Sequence, residues 1–283
     1  MTTVAANSVS GFKRSIGLTM LQLQPKPPSP AVPVSRFRLK FQKIQLFRIS
    51  CDYSCFEVRD LGYQPPGTQF GLLNSVSFSL PEKSFGVIFG QSGSGKTTLL
   101  QLLAGISKPT SGSICIQKYG NDGNPSQAPE PLIPERVGMV FQFPERYFVA
   151  DNVLDEVTFG WPRLKGDLQF KEHLAVRLQR AINWVGLNEI SLDKDPHSLS
   201  GGYQRRLALA IQLVQVPDLL ILDEPLAGLD WKARADVVKL LKHLKEELTV
   251  LVVSHDLREL SSLVDRSWRM EMGGRLKEDM LPL

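Results

Sequence analysis

Eight consecutive residues carry the clearest chemistry in this chain. Gly90-Gln91-Ser92-Gly93-Ser94-Gly95-Lys96-Thr97 fits the pattern G-x-x-x-x-G-K-[ST] in full. Glycines let successive backbone N–H groups curl around a phosphate without a side chain in the way. A helix that starts at the loop aims its positive end at the same anion. Lys96 then reaches the β- and γ-phosphates of a nucleotide, and the Thr97 hydroxyl is placed to ligate Mg²⁺. A second constellation is Leu219-Leu220-Ile221-Leu222-Asp223-Glu224, an apolar run that ends in two acids. A buried strand there brings Asp223 beside the phosphate loop, where it holds Mg²⁺ through water. Glu224 follows as a candidate general base for an attacking water.

These residues need a scaffold, and the hydrophobic pattern supplies one. Phe85–Phe89 is a compact apolar run suited to a buried strand, and it feeds directly into the glycine-rich loop. Thr97–Leu103 reads as the helix that follows. Phe56–Arg59 and Val76–Leu80 alternate as strands do. Ile114 and Ile116 mark another strand, Tyr119–Pro134 reads as a loop, and Val137–Phe141 returns to strand. Residues 143–215 read as helical, with Phe170, Leu174, Leu178, Ala181, Ile182 and Val185 at helical spacing and a further helix from near Gly201. Strand Leu219–Leu222, helix Lys232–Leu244, strand Thr249–Val253, helix Leu257–Leu263 and a hairpin through Gly273-Gly274 complete the order. Strands alternating with helices make the fold class α/β, a parallel-sheet core with a helical subdomain inserted at about 143–215.

Composition narrows the setting. The chain has 283 residues, 42% of them hydrophobic and 22% charged, as in an ordinary globular protein. No apolar run approaches the ~18 residues of a membrane-spanning helix, so a second polypeptide must supply any pathway through a bilayer. Charge is split along the chain. Residues 1–50 hold eight Lys/Arg and no acid, whereas all 29 acids face the remaining 25 bases in residues 51–283. The body is therefore mildly acidic, which gives no case for nucleic-acid binding. Residues 1–51 are basic, hydroxyl-rich and broken by five prolines, the composition of an organellar transit peptide of plastid type, with Arg48-Ile49-Ser50-Cys51 resembling a processing site. A basic arm without a targeting role is the alternative. Cys51, Cys55 and Cys115, odd in number and at no ligand spacing, point to a reducing compartment.

The order of motifs resembles the ABC-type ATPases. Leu199-Ser200-Gly201-Gly202-Tyr203-Gln204, 19 residues before Asp223, matches their LSGGQ signature with Tyr203 as an insertion-like variant. Gln142 resembles the Q-loop glutamine, Leu226-Ala227-Gly228-Leu229-Asp230 the D-loop, and His255, 31 residues after Glu224, the switch histidine. Tyr63 lies 27 residues before Gly90, where the family stacks an aromatic on adenine. The resemblance covers about residues 54–275. It implies a P-loop NTPase of ABC type over 52–283, with an antiparallel β subdomain at the N-terminal side and ATP and Mg²⁺ as cofactors. It implies an ATP site of Tyr63, Gly90 to Thr97 and Thr98, Mg²⁺ held by Thr97, Gln142 and Asp223, and catalysis by Glu224, His255 and Gln142. Two such ATPases pair head to tail, so that Ser200, Gly201, Gly202, Tyr203 and Gln204 of one cover the ATP of the other, with Asp230 linking the sites.

The stretch Phe141-Gln142-Phe143-Pro144-Glu145, followed by Asp155-Glu156-Val157-Thr158-Phe159-Gly160, resembles the energy-coupling-factor branch, and with the basic leader the plant plastid proteins of subfamily I. In that branch two ATPases dock on a membrane T-subunit, and vitamins or transition-metal ions are the cargo. The resemblance thus implies a chloroplast ATPase peripheral to the inner envelope, powering transport of a small substrate, with a metal ion as leading cargo. Glu145, Asp155 and Glu156 are candidates to meet an arginine of the membrane partner. A lipid-import ATPase and a non-transport ATPase of iron–sulfur assembly remain as rivals. The 58-residue interval from Gln142 to Ser200 shows no sustained heptads, which argues against a DNA-repair or chromosome-type ATPase.

Overall fold

The structure is a computed structural model that describes residues 55–120, 125–160 and 168–282. The proposed transit peptide at 1–51, with Cys51, lies outside the described residues, as does part of the Tyr119–Pro134 loop. In chain order the elements are strands β1 (Cys55–Tyr63), β2 (Leu73–Pro81) and β3 (Phe85–Gly90), helix α1 (Lys96–Leu103), and strands β4 (Ser111–Gln117), β5 (Glu130–Pro131) and β6 (Val137–Val140). Helices α2 (Val153–Val157), α3 (Leu168–Val185) and α4 (Gly201–Leu213) follow. The chain closes with β7 (Leu219–Asp223), α5 (Trp231–Lys245), β8 (Thr249–Val253), α6 (Leu257–Leu260), β9 (Arg266–Glu271) and β10 (Arg275–Glu278).

Two sheets form, as the strand patterns require. The first has the order β2-β1-β4-β5 and is antiparallel throughout. It buries Phe56, Val58 and Leu61 of β1 on one face, while Glu57 and Arg59 point away. β5 corrects the expectation of an unbroken loop from Tyr119 to Pro134. Glu130 and Pro131 pair with Ile116 and Cys115 as a two-residue edge strand, too short for any alternation to announce it and able to hold a proline because it is an edge.

The second sheet has the order β10-β9-β3-β8-β7-β6. β3, β8, β7, β6 and β9 run parallel, and β10 turns back on β9 through the expected hairpin. β7 and β8 are buried at every position and β3 at all but its last, because α1 and α5 pack on the sheet and β2 lays Phe78 on Trp268 of β9 and Leu80 beside Gly86 of β3. Each fully buried Val, Leu or Ile of these strands contributes about 1.5–3 kcal/mol relative to an exposed side chain. Parallel strands share a direction, so the loops that leave β3, β6, β7 and β8 emerge at one edge of the sheet. Those loops carry Lys96, Gln142, Glu224 and His255. The topology therefore gathers residues separated by 159 positions.

The insertion between β6 and β7 is helical in parts. Short 3₁₀ turns at Pro144–Tyr147 and Pro196–Ser198 precede α2 and α4. Ala181, Ile182 and Val185 of α3 are buried, as their spacing predicts. α4 runs without interruption through Tyr203. Among the described residues no helix is long and apolar enough to cross a membrane.

Candidate nucleotide site

The phosphate loop leaves β3 at Gly90, whose φ is 146°. A side chain there would collide with the Met270 carbonyl of the neighbouring strand, so the exit from the sheet requires glycine. Gly95 is left-handed, at φ 105°, and caps α1 directly. The Lys96 ammonium folds back over the loop and donates to the carbonyls of Gly90 at 2.8 Å and Gln91 at 2.7 Å. Lys96 is buried, and desolvation lowers its pKa against the opposing charges of Glu224 and Asp223. Ser94 Oγ is buried within the loop with no hydrogen-bond partner.

A cavity of about 490 Å³ opens on this loop. Ser92, Gly93, Gly95, Lys96, Thr97 and Thr98 form one wall; Gln142, Asp223, Glu224 and His255 form the other. Thr97 Oγ1 donates to Asp223 Oδ2 at 3.4 Å. This hydroxyl and carboxylate, with the Gln142 side chain nearby, make a small all-oxygen donor set. Such a set suits Mg²⁺, which takes one or two protein ligands and completes its shell with phosphate and water. Among the described residues no cluster of three His, Cys, Asp or Glu offers a rival metal site.

Glu224 stands one residue past β7 in the left-handed region, at φ 47°. That conformation is uncommon for a residue with a side chain. It turns the carboxylate back towards β8. Glu224 Oε2 accepts from Ser254 Oγ at 3.2 Å and from the His255 N–H at 3.1 Å, and Oε1 lies 3.4 Å from His255 Nε2. The carboxylate is therefore fixed on one side and faces the cavity with the other. The fully buried Ser254 was not legible as a site residue, although its place immediately before His255 at a strand end was the available signal.

The remaining expectations sort into three groups. Gly90 and Gln91 line an adjoining cavity of about 550 Å³, which His255 shares. Tyr63 is half-buried against the core and does not line the nucleotide cavity; Leu72, whose N–H donates to the Tyr63 carbonyl at 2.7 Å, lies at its rim instead. The signature residues open on a different cavity of about 260 Å³, with Ser200, Gly202, Tyr203 and Asp230 in its wall. Ser200 caps α4 with its hydroxyl unused by the helix, and Gly201 is exposed beside it. Asp230 caps α5, accepting from the Ala233 N–H at 2.7 Å. Gln204 turns away from this cavity, with its amide 3.3 Å from the His197 carbonyl, so Tyr203 presents the side chain.

The candidate acids near Gln142 also separate. Glu156 is buried, and its Oε2 accepts from the Val149 and Ala150 N–H groups at 2.9 and 2.7 Å. It holds its own loop, and Asp155 is bound to Asn152. Glu145 is left as the acid with no such tie.

Asp223 carries a cost that predicts a stability change. Burial raises its pKa first, and the neighbouring Glu224 charge raises it further, against Thr97 and Lys96. A carboxylate with a raised folded pKa loses stability as pH rises through that value. Asp223→Asn removes the charge and keeps the shape. It is expected to raise the melting temperature of the nucleotide-free protein by about 2–4 °C near neutral pH, with the gain vanishing in acid. The same variant is expected to lose the further stabilisation that Mg²⁺ adds to ATP. Differential scanning calorimetry across pH checks both, and an unchanged or lowered melting point at neutral pH contradicts the first.

Comparison with known proteins bears on the whole site. The family described as ABC transporter matches residues 73–227. ABC transporter I family member 11, chloroplastic, of Arabidopsis thaliana is 74% identical over 246 residues, which is 87% of this chain and 88% of that protein. The energy-coupling factor transporter ATP-binding protein EcfA2 of Acetivibrio thermocellus is 38% identical over 203 residues, 71% of this chain and 70% of that one. Among solved structures, cbiO1 from Clostridium perfringens, described as part of the ABC transporter complex cbiONQ, aligns with a TM-score of 0.67 at 29% identity, over 80% of this chain and 88% of that chain. The matched segment spans β2 to the loop after β7, and so takes in the phosphate loop, Gln142, the signature and the two acids. The chain belongs to the ABC transporter family, as an ATP-hydrolysing subunit that uses ATP with Mg²⁺.

Proposed function

We propose that the chain is the ATPase of a multi-subunit transporter of the energy-coupling-factor type, peripheral on the stromal side of the plastid inner envelope. One observation carries the mechanism. The phosphate-loop cavity and the signature cavity share no residue. A nucleotide on the loop of one subunit therefore meets Ser200, Gly201, Gly202 and Tyr203 only from a second ATPase, arriving at a helix N-terminus.

In this reading the phosphate-loop residues Gly90 to Thr97, with Thr98, hold the triphosphate, and Tyr63 flanks the adenine through the loop it shares with Leu72. Thr97, Gln142 and Asp223 hold Mg²⁺, which supplies charge neutralisation on the phosphates. Glu224, fixed by Ser254 and the His255 N–H, takes the proton of the attacking water. His255 steadies the γ-phosphate. Asp230 carries the state of one site to the other. Closure of the pair completes the constellation.

An apolar groove of about 280 Å³, walled by Phe141, Pro144, Tyr147, Phe159 and Ile211, lies behind Gln142. Tyr147 and Phe159 are exposed there. A helix of a T-type membrane subunit is its proposed occupant, with Glu145, the residue after Pro144 of its wall, as the proposed partner for an arginine. The cargo is proposed as a transition-metal ion, by analogy with the branch. The plastid address rests on the leader composition and on the Arabidopsis relative, whose name includes "chloroplastic".

The test is a pull-down of the Glu224→Gln chain from plastid membranes with Mg·ATP. Recovery of a polytopic subunit with an ABC ATPase is the expected result. Recovery of soluble scaffold proteins alone would move the chain to the non-transport class.

A further inference from the structure

Arg205 lies one turn into α4, behind the signature, and is 4% exposed. Among the described residues no carboxylate forms an ion pair with it. Its Nη1 donates to the Phe141 carbonyl at 3.2 Å, and its Nη2 donates to the Ala227 carbonyl at 3.1 Å. Phe141 immediately precedes Gln142, and Ala227 stands three residues before Asp230. One buried guanidinium thus joins the signature helix to the loop of Gln142 and the loop of Asp230. The Nε has no partner at all. Burial lowers the pKa of the group, and the charge of Glu145 acts against this.

A buried cation held by two neutral carbonyls is an expensive way to fill that space. An apolar side chain of similar volume costs less in most interiors. Two neighbouring features show what the arrangement achieves. Arg206 turns the other way, pairs with Asp236 at 2.9 Å and faces the signature cavity. Further along α4, Ala208, Ile211 and Gln212 form the floor of the apolar groove. Gln212 Oε1 accepts from the Met139 N–H at 3.1 Å, and the Phe141 ring stacks on Tyr147 with centroids 4.6 Å apart. The one helix therefore carries the signature at its start, the Arg205 fork in its second turn and the groove floor beyond.

We infer that Arg205 is a positioning residue that fixes the loops of Gln142 and Asp230 to the signature helix as one rigid unit. It touches no nucleotide. It sets the distance between the phosphate-side loop and the signature-side loop of the same subunit, so that pairing aligns both sites together. Catalysis by positioning is steep in distance, and a displacement near 1 Å costs about a hundredfold. The inference rests on the roles proposed above for Gln142 and Asp230.

The test compares Arg205→Met, which keeps bulk without donors, and Arg205→Lys, which reaches one carbonyl, in the full chain. ATP hydrolysis gives kcat and KM, and a fluorescent ATP analogue gives affinity. Arg205→Met is expected to bind the analogue within about twofold of the native chain and to lose about a hundredfold in kcat, with KM little changed. Arg205→Lys is expected to recover part of that loss. A kcat within about threefold for the Met variant, a fall in affinity that tracks the fall in kcat, or a Lys variant no better than Met overturns the inference. Should the Met variant show no cooperative melting, the Lys variant decides, since an unchanged kcat there counts against the fork. Glu224→Gln is run in parallel. If it hydrolyses like the native chain, the catalytic reading falls and this inference with it. If it is silent while Arg205→Met is normal, this inference alone falls.

Discussion

Glu224→Gln is expected to lower the rate of ATP hydrolysis by about 10²- to 10⁴-fold, the contribution of a positioned general base. Affinity for ATP is expected to stay within a few-fold of the native value. The geometry separates the two effects. Glu224 feels the charge of Lys96, but its carboxylate is held by the Ser254 hydroxyl and the His255 N–H and not by a hydrogen bond to the described phosphate loop. Glutamine has the same length, and its carbonyl oxygen can keep accepting from those donors. It loses only the ability to take a proton. The substitution also removes a charge that lowers the comfort of buried Asp223, so the folded protein should not suffer. ATP bound and not hydrolysed should hold two subunits together. Steady-state phosphate release and size-exclusion chromatography with Mg·ATP check the two halves. A variant that hydrolyses within tenfold of the native chain contradicts Glu224 as base.

Lys96→Met is expected to act at the opposite step. Its ammonium is the one charged donor inside the loop, and two charge-assisted hydrogen bonds of about 1.5–3 kcal/mol each are at stake when it reaches the phosphates. A loss of about 3 kcal/mol is roughly a hundredfold in affinity. The same side chain bridges the Gly90 and Gln91 carbonyls in the nucleotide-free protein. Its removal leaves those carbonyls without that donor and should loosen the loop as well. Titration with a fluorescent ATP analogue checks the affinity. A change under threefold would show that the loop amides and the α1 terminus carry the binding alone.

The phosphate loop was legible because its pattern is local and constrained residue by residue. Gly90, Gly95 and Lys96 each answer to a steric or electrostatic demand within eight positions. The buried β7 was legible for a similar reason, since a wholly apolar run ending in acids has few other readings. What the sequence concealed depends on which way a side chain turns. Arg205 and Arg206 are adjacent and chemically identical, yet one is buried as a fork between two loops and the other pairs with Asp236 at the surface. Gln204 looked like the last signature residue, but the helical period turns it towards His197 and brings Tyr203 to the cavity. Glu156 stood among the candidates for a partner arginine, but the fold wraps residues 149–150 around it. Tyr63 was placed by its spacing to Gly90, and its carbonyl is tied to the N–H of Leu72, which lines the cavity. In each case tertiary packing chose between options that local sequence leaves equal.

The separation of the phosphate cavity from the signature cavity has a consequence for the cell. In the proposed pairing, turnover is proportional to the product of the concentrations of the two ATPase subunits whenever pairs are scarce, by mass action. A tenfold dilution of both then lowers the number of working pairs by about a hundredfold. Abundance, and anything that gathers subunits on one surface, becomes a control on rate equal in force to the supply of ATP. A docking partner that binds two subunits side by side would act as an activator by proximity alone.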